Sequence, residues 1–304
     1  MLRWDKLTNR NASLKDVASI KVKEFCKLSG TSFTNLNDIF ESMGLLSKKN
    51  LLNAAVILFG KQPQKFYSNA KLMCSVFAAD NTAHIIDQKE FAGDLFFLIT
   101  EAESYILKNI HIGMNVKGLF REDIPEINRE ALREVIINAF LHRDYFDPDF
   151  ISINIFKNRL EIKNPGGLFG GLKIDDILRR NISKRRNEVI ADIFSRARFV
   201  ERKGRGIALI LEKEPDTHFE QIGEIFITTI KRKIKLIPQV DGGLTGGLKN
   251  VFELIKTNPG QNTKSISVEI SKPEKTVEKW IKKLRELNLI EFRGSKKSGG
   301  YHMK

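Results

Sequence analysis

Cysteine is nearly absent from this chain of 304 residues, which holds only Cys26 and Cys74. Each lies in an apolar stretch, and they are not spaced as metal ligands. A disulfide framework and a zinc site are therefore unsupported, and two buried thiols are expected. Long apolar runs are missing too. None approaches the roughly 18–20 residues a helix needs to cross a bilayer, and the opening Met1-Leu-Arg-Trp-Asp-Lys6 has no signal-peptide apolar core. A cytoplasmic protein with no membrane partner is expected. There is also no Gly-x-x-x-x-Gly-Lys-[Ser/Thr] loop, which removes motor chemistry of the P-loop kind.

Acidic residues run short as well. Lys and Arg number 51 against 37 Asp and Glu, a formal net charge of +14, with a pI near 9.6. Such a balance favours a polyanion partner, nucleic acid first. A basic surface that serves solubility alone is the competing reading. The 41% hydrophobic and 9% aromatic content is ordinary for a globular protein, and the length suggests about two domains with ample core.

Along the chain, a helical pattern runs through Val17, Ile20, Val22 and Phe25, with Ser13 as N-cap candidate and Gly30 as stop. Residues 51–60 form a buried apolar segment that fits helix or strand, whereas 71–77 read as a strand. An amphipathic helix is expected from about Gly93 to Asn109, burying Leu95, Leu98, Ile99, Ala102, Tyr105 and Ile106. Ile151–Phe156 and Leu160–Lys163 alternate like half-buried strands, 174–200 suggests short helices, 207–213 another helix, and 224–236 a closing hairpin. The repeated Gly-Gly-Leu of 242–248 reads as a flexible linker.

Chemistry concentrates in Glu134-Val-Ile-Ile-Asn138-Ala139-Phe-Leu-His142-Arg143-Asp144. Glu134 and Asn138 stand four apart and share a helix face. A carboxylate and a neutral oxygen can together hold a hydrated Mg²⁺, although such a pair is also common on a solvated face. Asn138 sits among Ile136, Ile137, Ala139 and Phe140, a costly place for an amide. His142, Arg143 and Asp144 close the helix, either capping its C-terminus or contacting a ligand. Downstream, Asn164-Pro165-Gly166-Gly167 follows a strand. Gly204-Arg205-Gly206-Ile207 opens a helix, where free N–H groups and Arg205 suit an anion.

This order of motifs resembles a Bergerat-type (GHKL) ATP site, as in gyrase B, histidine kinases and the mismatch-repair protein MutL. More specifically, the chain resembles a bacterial family of transcriptional regulators often labelled RecG-like or helicase-related. The residues that carry it are Ala131-Leu132-Arg133-Glu134, His142-Arg143-Asp144-Tyr145, Asn164 to Leu168, Arg186-Asn187 and Glu201 to Ile207. The likeness runs over nearly the whole chain. It implies an α+β fold, a helix layer on a largely antiparallel or mixed sheet, with a C-terminal winged helix-turn-helix. The family also carries a Schlafen/Alba-type domain ahead of its connecting segment, and this chain is expected to lack it.

The resemblance assigns roles. Glu134 polarises the attacking water and Asn138 binds Mg²⁺ beside the phosphates. Asn164 stands where a charged Asp reads the adenine amino group in related folds. Its oxygen still accepts but lacks the charge. Gly166 and Gly167 admit the ligand to the backbone, and Gly204, Arg205 and Gly206 hold phosphate. Lys184, Arg185, Arg186 and Asn187 form a lid that reaches phosphates or DNA, and Thr228 lies near the adenine. His142 joins this nucleotide-binding set.

The tail reads as three helices and a glycine-flanked basic hairpin, the pattern of a winged helix. Residues 248–304 carry thirteen basic against six acidic side chains. Lys272, Lys275, Thr276 and Lys279 lie opposite the apolar face of the third helix, placed for a major groove. Lys296 and Lys297 on the wing would meet phosphate. A three-helix interaction module with a solvated lysine face is the alternative.

The expected domains are 1–120 as a connecting α/β segment, 121–238 as the nucleotide domain, 239–248 as linker and 249–304 as the DNA-binding domain. The expected function is an ATP- and Mg²⁺-binding transcriptional regulator of double-stranded DNA, with nucleotide occupancy acting on the winged helix and homodimerisation as one route. A slow Mg²⁺-dependent ATPase using Glu134, and a degenerate nucleotide site kept as scaffold, are the other two readings.

Overall fold

The computed structural model describes residues 2–117, 120–180, 182–199, 206–233, 246–286, 289–295 and 299–304, with main chain only over 114–117 and 120–123. The chain divides into two compact units, Met1–Lys233 and Ile234–Lys304.

In the first unit the order is α1 (Ser19–Ser29), α2 (Leu36–Ser42), β1 (Leu46–Ser47), β2 (Asn50–Leu51), α3 (Asn53–Phe59), β3 (Lys71–Phe77), β4 (Ile85–Ala92), α4 (Leu95–Asn109), β5 (Ile112–Lys117), β6 (Phe120–Pro125), α5 (Arg129–His142), β7 (Ile151–Ile155), β8 (Arg159–Pro165), α6 (Ile174–Arg179), α7 (Glu188–Arg196), α8 (Gly206–Lys213), β9 (His218–Ile222) and β10 (Ile225–Lys231). Six strands form one sheet in the order β4-β3-β7-β8-β10-β9. Only β3 and β7 run parallel, with Leu72 opposite Ile151 and Cys74 opposite Ile153. The sheet is thus mixed, and it unites strands from before and after residue 120.

Alternation explains β7 and β8: Ile151, Ile153, Ile155, Leu160 and Ile162 turn inward, while Ser152, Asn154, Glu161 and Lys163 are only half-buried or less. Helix α4 buries the six residues its periodicity foretold, and Asp94 caps it by accepting from the Phe97 N–H at 3.0 Å. Each large apolar side chain so buried stabilises by about 1.5–3 kcal/mol. α4 and α5 both pack against the sheet.

Several local expectations change. Ile20 is 71% exposed, because α1 begins only at Ser19 and its buried stripe is Val22, Phe25 and Cys26. Ser13 caps a short 3-10 turn instead of α1. Gly30 does stop α1, at φ 69°. The ambiguous 51–60 stretch is mostly helix, and all of Asn53–Phe59 is buried. The closing hairpin starts earlier than 224, because β9 precedes the Gly223-Glu224 turn. Both cysteines are free and buried, and burial pushes the Cys74 thiol up to about 12. Among the described residues no helix is long and apolar enough to cross a membrane.

The second unit has α9 (Gly247–Thr257), α10 (Thr263–Glu269), α11 (Glu274–Glu286), β11 (Ile290–Arg293) and β12 (Gly300–Met303). Leu248, Val251, Ile255, Ile266, Val277, Ile281, Leu284 and Ile290 make its core. Gly247 must be small, since a Cβ there would strike the Trp280 ring. The hairpin is tied to the helices by backbone bonds from the Gly260 N–H to the Tyr301 carbonyl (2.8 Å) and from the Tyr301 N–H to the Gln261 carbonyl (2.9 Å). Linker residues 239–245 lie outside the described residues.

Candidate functional site

Helix α5 supplies the site's polar stripe. Asn128 caps it, accepting from the N–H groups of Glu130 (2.9 Å) and Ala131 (3.2 Å). Eight buried apolar residues then fix the helix against the body. Glu134, Asn138 and His142 remain, four apart, all partly exposed and all facing one cleft of about 1250 Å³. The Asn138 Nδ2 donates to Glu134 Oε1 at 3.1 Å.

Strands β8 and β10 form the cleft floor. Thr228 stands opposite Ile162, Phe226 opposite Asn164, and Phe219 follows on β9. These five residues all line the cleft. Asn164 is 3% exposed, and its Oδ1 has no hydrogen-bond partner. A buried orphan acceptor costs about 1–3 kcal/mol, so a donor arriving from the cleft would be rewarded at this atom.

The glycine turn after β8 is held from two sides. Gly166 has φ 110°, and a Cβ on it would come 2.7 Å from the Asp144 nitrogen. A Cβ on Gly167 would run into the Gln221 amide. That amide oxygen already accepts from the Leu168 N–H at 2.9 Å. Glycine here answers a positive φ and close packing.

Arg186 departs from its expected role as a phosphate contact. Its guanidinium pairs with Asp144 (2.6 Å), donates to the Gly167 carbonyl (2.8 Å) and lies over the Phe169 ring. Asn187 is buried and donates to the Leu141 and Arg143 carbonyls, both at 2.9 Å. Together they tie the end of α5 to the start of α7. Arg143 is likewise structural, donating to the carbonyls of Asn69 (2.8 Å) and Asp149 (2.5 Å). Of the three residues closing α5, only His142 lines the cleft. Desolvation first, then Arg186 and Arg185, hold its imidazole down to about 4. It is neutral at pH 7, a donor at one nitrogen and an acceptor at the other.

Gly206 opens α8 where a side chain would collide with the Glu134 carboxylate and approach Asn138 Nδ2 to 3.2 Å. The backbone at the head of α8 therefore lies directly beside the Glu134–Asn138 pair. Arg133, Lys184, Arg185 and Arg198 bring positive charge to the same cleft. Gly204 and Arg205 lie outside the described residues. Apart from them, Glu134, Asn138, His142, Asn164, Gly166, Gly167, Gly206 and Thr228 all line this cleft, and Arg186 does not. The sequence reading missed Phe219 and Phe226, although the alternation of 225–231 points Phe226 and Thr228 to one face. Among the described residues no group of three or more His, Cys, Asp or Glu could hold a metal. The oxygens of Glu134 and Asn138 suit a cation that keeps most of its waters.

In the second unit Lys272, Lys275 and Lys279 are exposed and Thr276 is half-buried, around the buried Val277. Lys296 and Lys297 lie outside the described residues.

Residues 149–224 match the family model described as "Putative ATP-dependent DNA helicase recG C-terminal", an ATPase-like domain consistent with ATP binding. The matched stretch holds Asn164, Gly166, Gly167 and Gly206, and stops short of Thr228. Glu134, Asn138 and His142 precede it. No curated protein matches the chain. Among solved structures, the DIP2311 protein of Corynebacterium diphtheriae is similar at a TM-score of 0.63 and 16% sequence identity, over 100% of this chain and 64% of that one. The chain thus spans under two thirds of that protein's length, and at this identity the likeness is one of fold alone.

Proposed function

We propose that the cleft binds ATP with Mg²⁺ in a Bergerat-type site, and that the protein is a DNA-binding transcriptional regulator whose winged helix responds to that binding. The observation that carries the nucleotide reading is the buried, unpartnered Asn164 Oδ1 on an apolar floor, in the same cleft as the Gly206 helix start. An adenine amino group would satisfy Asn164, with Thr228 nearby. Phosphates would lie toward Gly206, where first-turn N–H groups and the helix dipole favour anions. Asn138 would hold the metal, which supplies charge neutralisation at the phosphates. Gly166 and Gly167 would admit the ligand closely, and neutral His142 would donate or accept along the wall.

In the slow-ATPase reading Glu134 would be the base that orients and deprotonates water. A scaffold with no bound nucleotide is the reading to beat. Thermal unfolding of the purified chain separates them. Mg-ATP bound only by the native state raises the midpoint with ligand concentration, and the scaffold reading requires no shift.

Support for the DNA reading comes from the three helices followed by a paired hairpin, and from the excess of Lys over acids in 248–304. Lys272, Lys275, Thr276 and Lys279 on and before α11 would approach the major groove, and Lys296 and Lys297 the backbone. Duplex affinity measured by anisotropy with and without Mg-ATP tests the coupling. Equal affinities would leave a nucleotide site and a DNA module that work independently.

A further inference from the structure

We propose that Asn164 makes the base pocket a reader of both purines, accepting guanine nucleotides about as well as adenine nucleotides; this rests on the nucleotide reading above. Asn164 is a buried polar group at the apolar end of the cleft, 3% exposed, with an oxygen that no protein group satisfies. Around it lie Ile162, Phe219 and Phe226, apolar surfaces that suit the faces of a flat ring. Across the strand pair is Thr228, 6% exposed, whose hydroxyl both donates and accepts.

The chemistry follows from the amide. Adenine offers an amino donor at carbon 6 and an acceptor at nitrogen 1, whereas guanine offers an acceptor and a donor at those places. A carboxylate can only accept, so on this edge it meets the donor of either purine and repels the acceptor beside it. An amide carries one acceptor and one donor on atoms of nearly equal size, and a half-turn of its terminal torsion exchanges them. One orientation of Asn164 complements adenine at both positions, and the other complements guanine. The Thr228 hydroxyl can rotate to follow. No charged side chain lines the cleft beside Asn164 on β8, β9 or β10 among the described residues, so nothing there fixes the polarity. Ring size still matters, because a pyrimidine would leave part of the apolar floor uncovered.

The test is competition binding of ADP, GDP and CDP to the purified full chain with Mg²⁺, repeated on Asn164→Leu. The expected result is a wild-type ADP-to-GDP affinity ratio within about tenfold, with CDP weaker than both. Asn164→Leu should weaken ADP and GDP alike, each by at least about tenfold, the scale of a buried hydrogen bond lost. A cooperative thermal unfolding transition shows that the variant is folded. A wild-type preference for ADP beyond tenfold overturns the inference and leaves the nucleotide site standing. Unchanged ADP and GDP affinities in Asn164→Leu, or loss of only one of the two, overturn the assignment to this residue. Failure of all three ligands to bind wild type overturns the nucleotide reading and this inference with it.

Discussion

Arg186 and Asp144, 42 residues apart in sequence, meet at 2.6 Å under the glycine turn, and the same guanidinium donates to the Gly167 carbonyl at 2.8 Å. One planar side chain thus fixes the end of α5 relative to the turn that carries Asn164. Arg186→Lys keeps the charge but cannot reproduce the fork. We expect a loss of about 1–2 kcal/mol in urea unfolding. A double-mutant cycle with Asp144→Asn should show the two losses to be non-additive.

Asn187 makes a sharper case. Its buried amide serves two helix-end carbonyls, and Asn187→Ala leaves both without a donor. The expected destabilisation is about 2–4 kcal/mol. A loss below about 1 kcal/mol would mean that water replaces the amide there.

His142 gives the molecule a pH dependence. Its native value of about 4 lies below the ordinary 6.5 of imidazole. Between those values the unfolded chain binds a proton that the native chain does not, so stability rises with pH across that window and is level above it. Because the ring is partly open to the cleft, the contribution is about 1–2 kcal/mol. Denaturation curves from roughly pH 7 to roughly pH 5 should flatten by that amount in His142→Gln.

Gly206→Ala places a methyl group between the head of α8 and the Glu134–Asn138 pair. We expect Mg-ATP affinity to fall by at least about tenfold while the protein stays folded. Full affinity in this variant would put the phosphates elsewhere.

Charge reversal at Lys275 should weaken duplex binding across sequences and reduce the salt slope by about one. A null effect, with the fold intact, would move the DNA contact off this helix.

Much of this arrangement is legible from spacing. Glu134, Asn138 and His142 share a face by period alone, and β8 delivers Asn164 inward because Leu160 and Ile162 set the alternation. What spacing hides is long-range partnership. Arg186 and Asn187 stand in a basic, lid-like sequence, yet their partners are 19 to 46 residues away. No local pattern announces those bonds. The β9 strand was equally obscure, since His218, Glu220 and Gln221 blur its alternation, and Ile20 looked like core because Val17 suggested a helix that starts two residues later.

The most direct measurement is calorimetric titration of Mg-ATP into the purified chain, with Asn138→Ala beside it. The account predicts saturable binding to wild type and loss of at least about tenfold in affinity for the variant. Binding that is absent from wild type, or unchanged in Asn138→Ala, would contradict it.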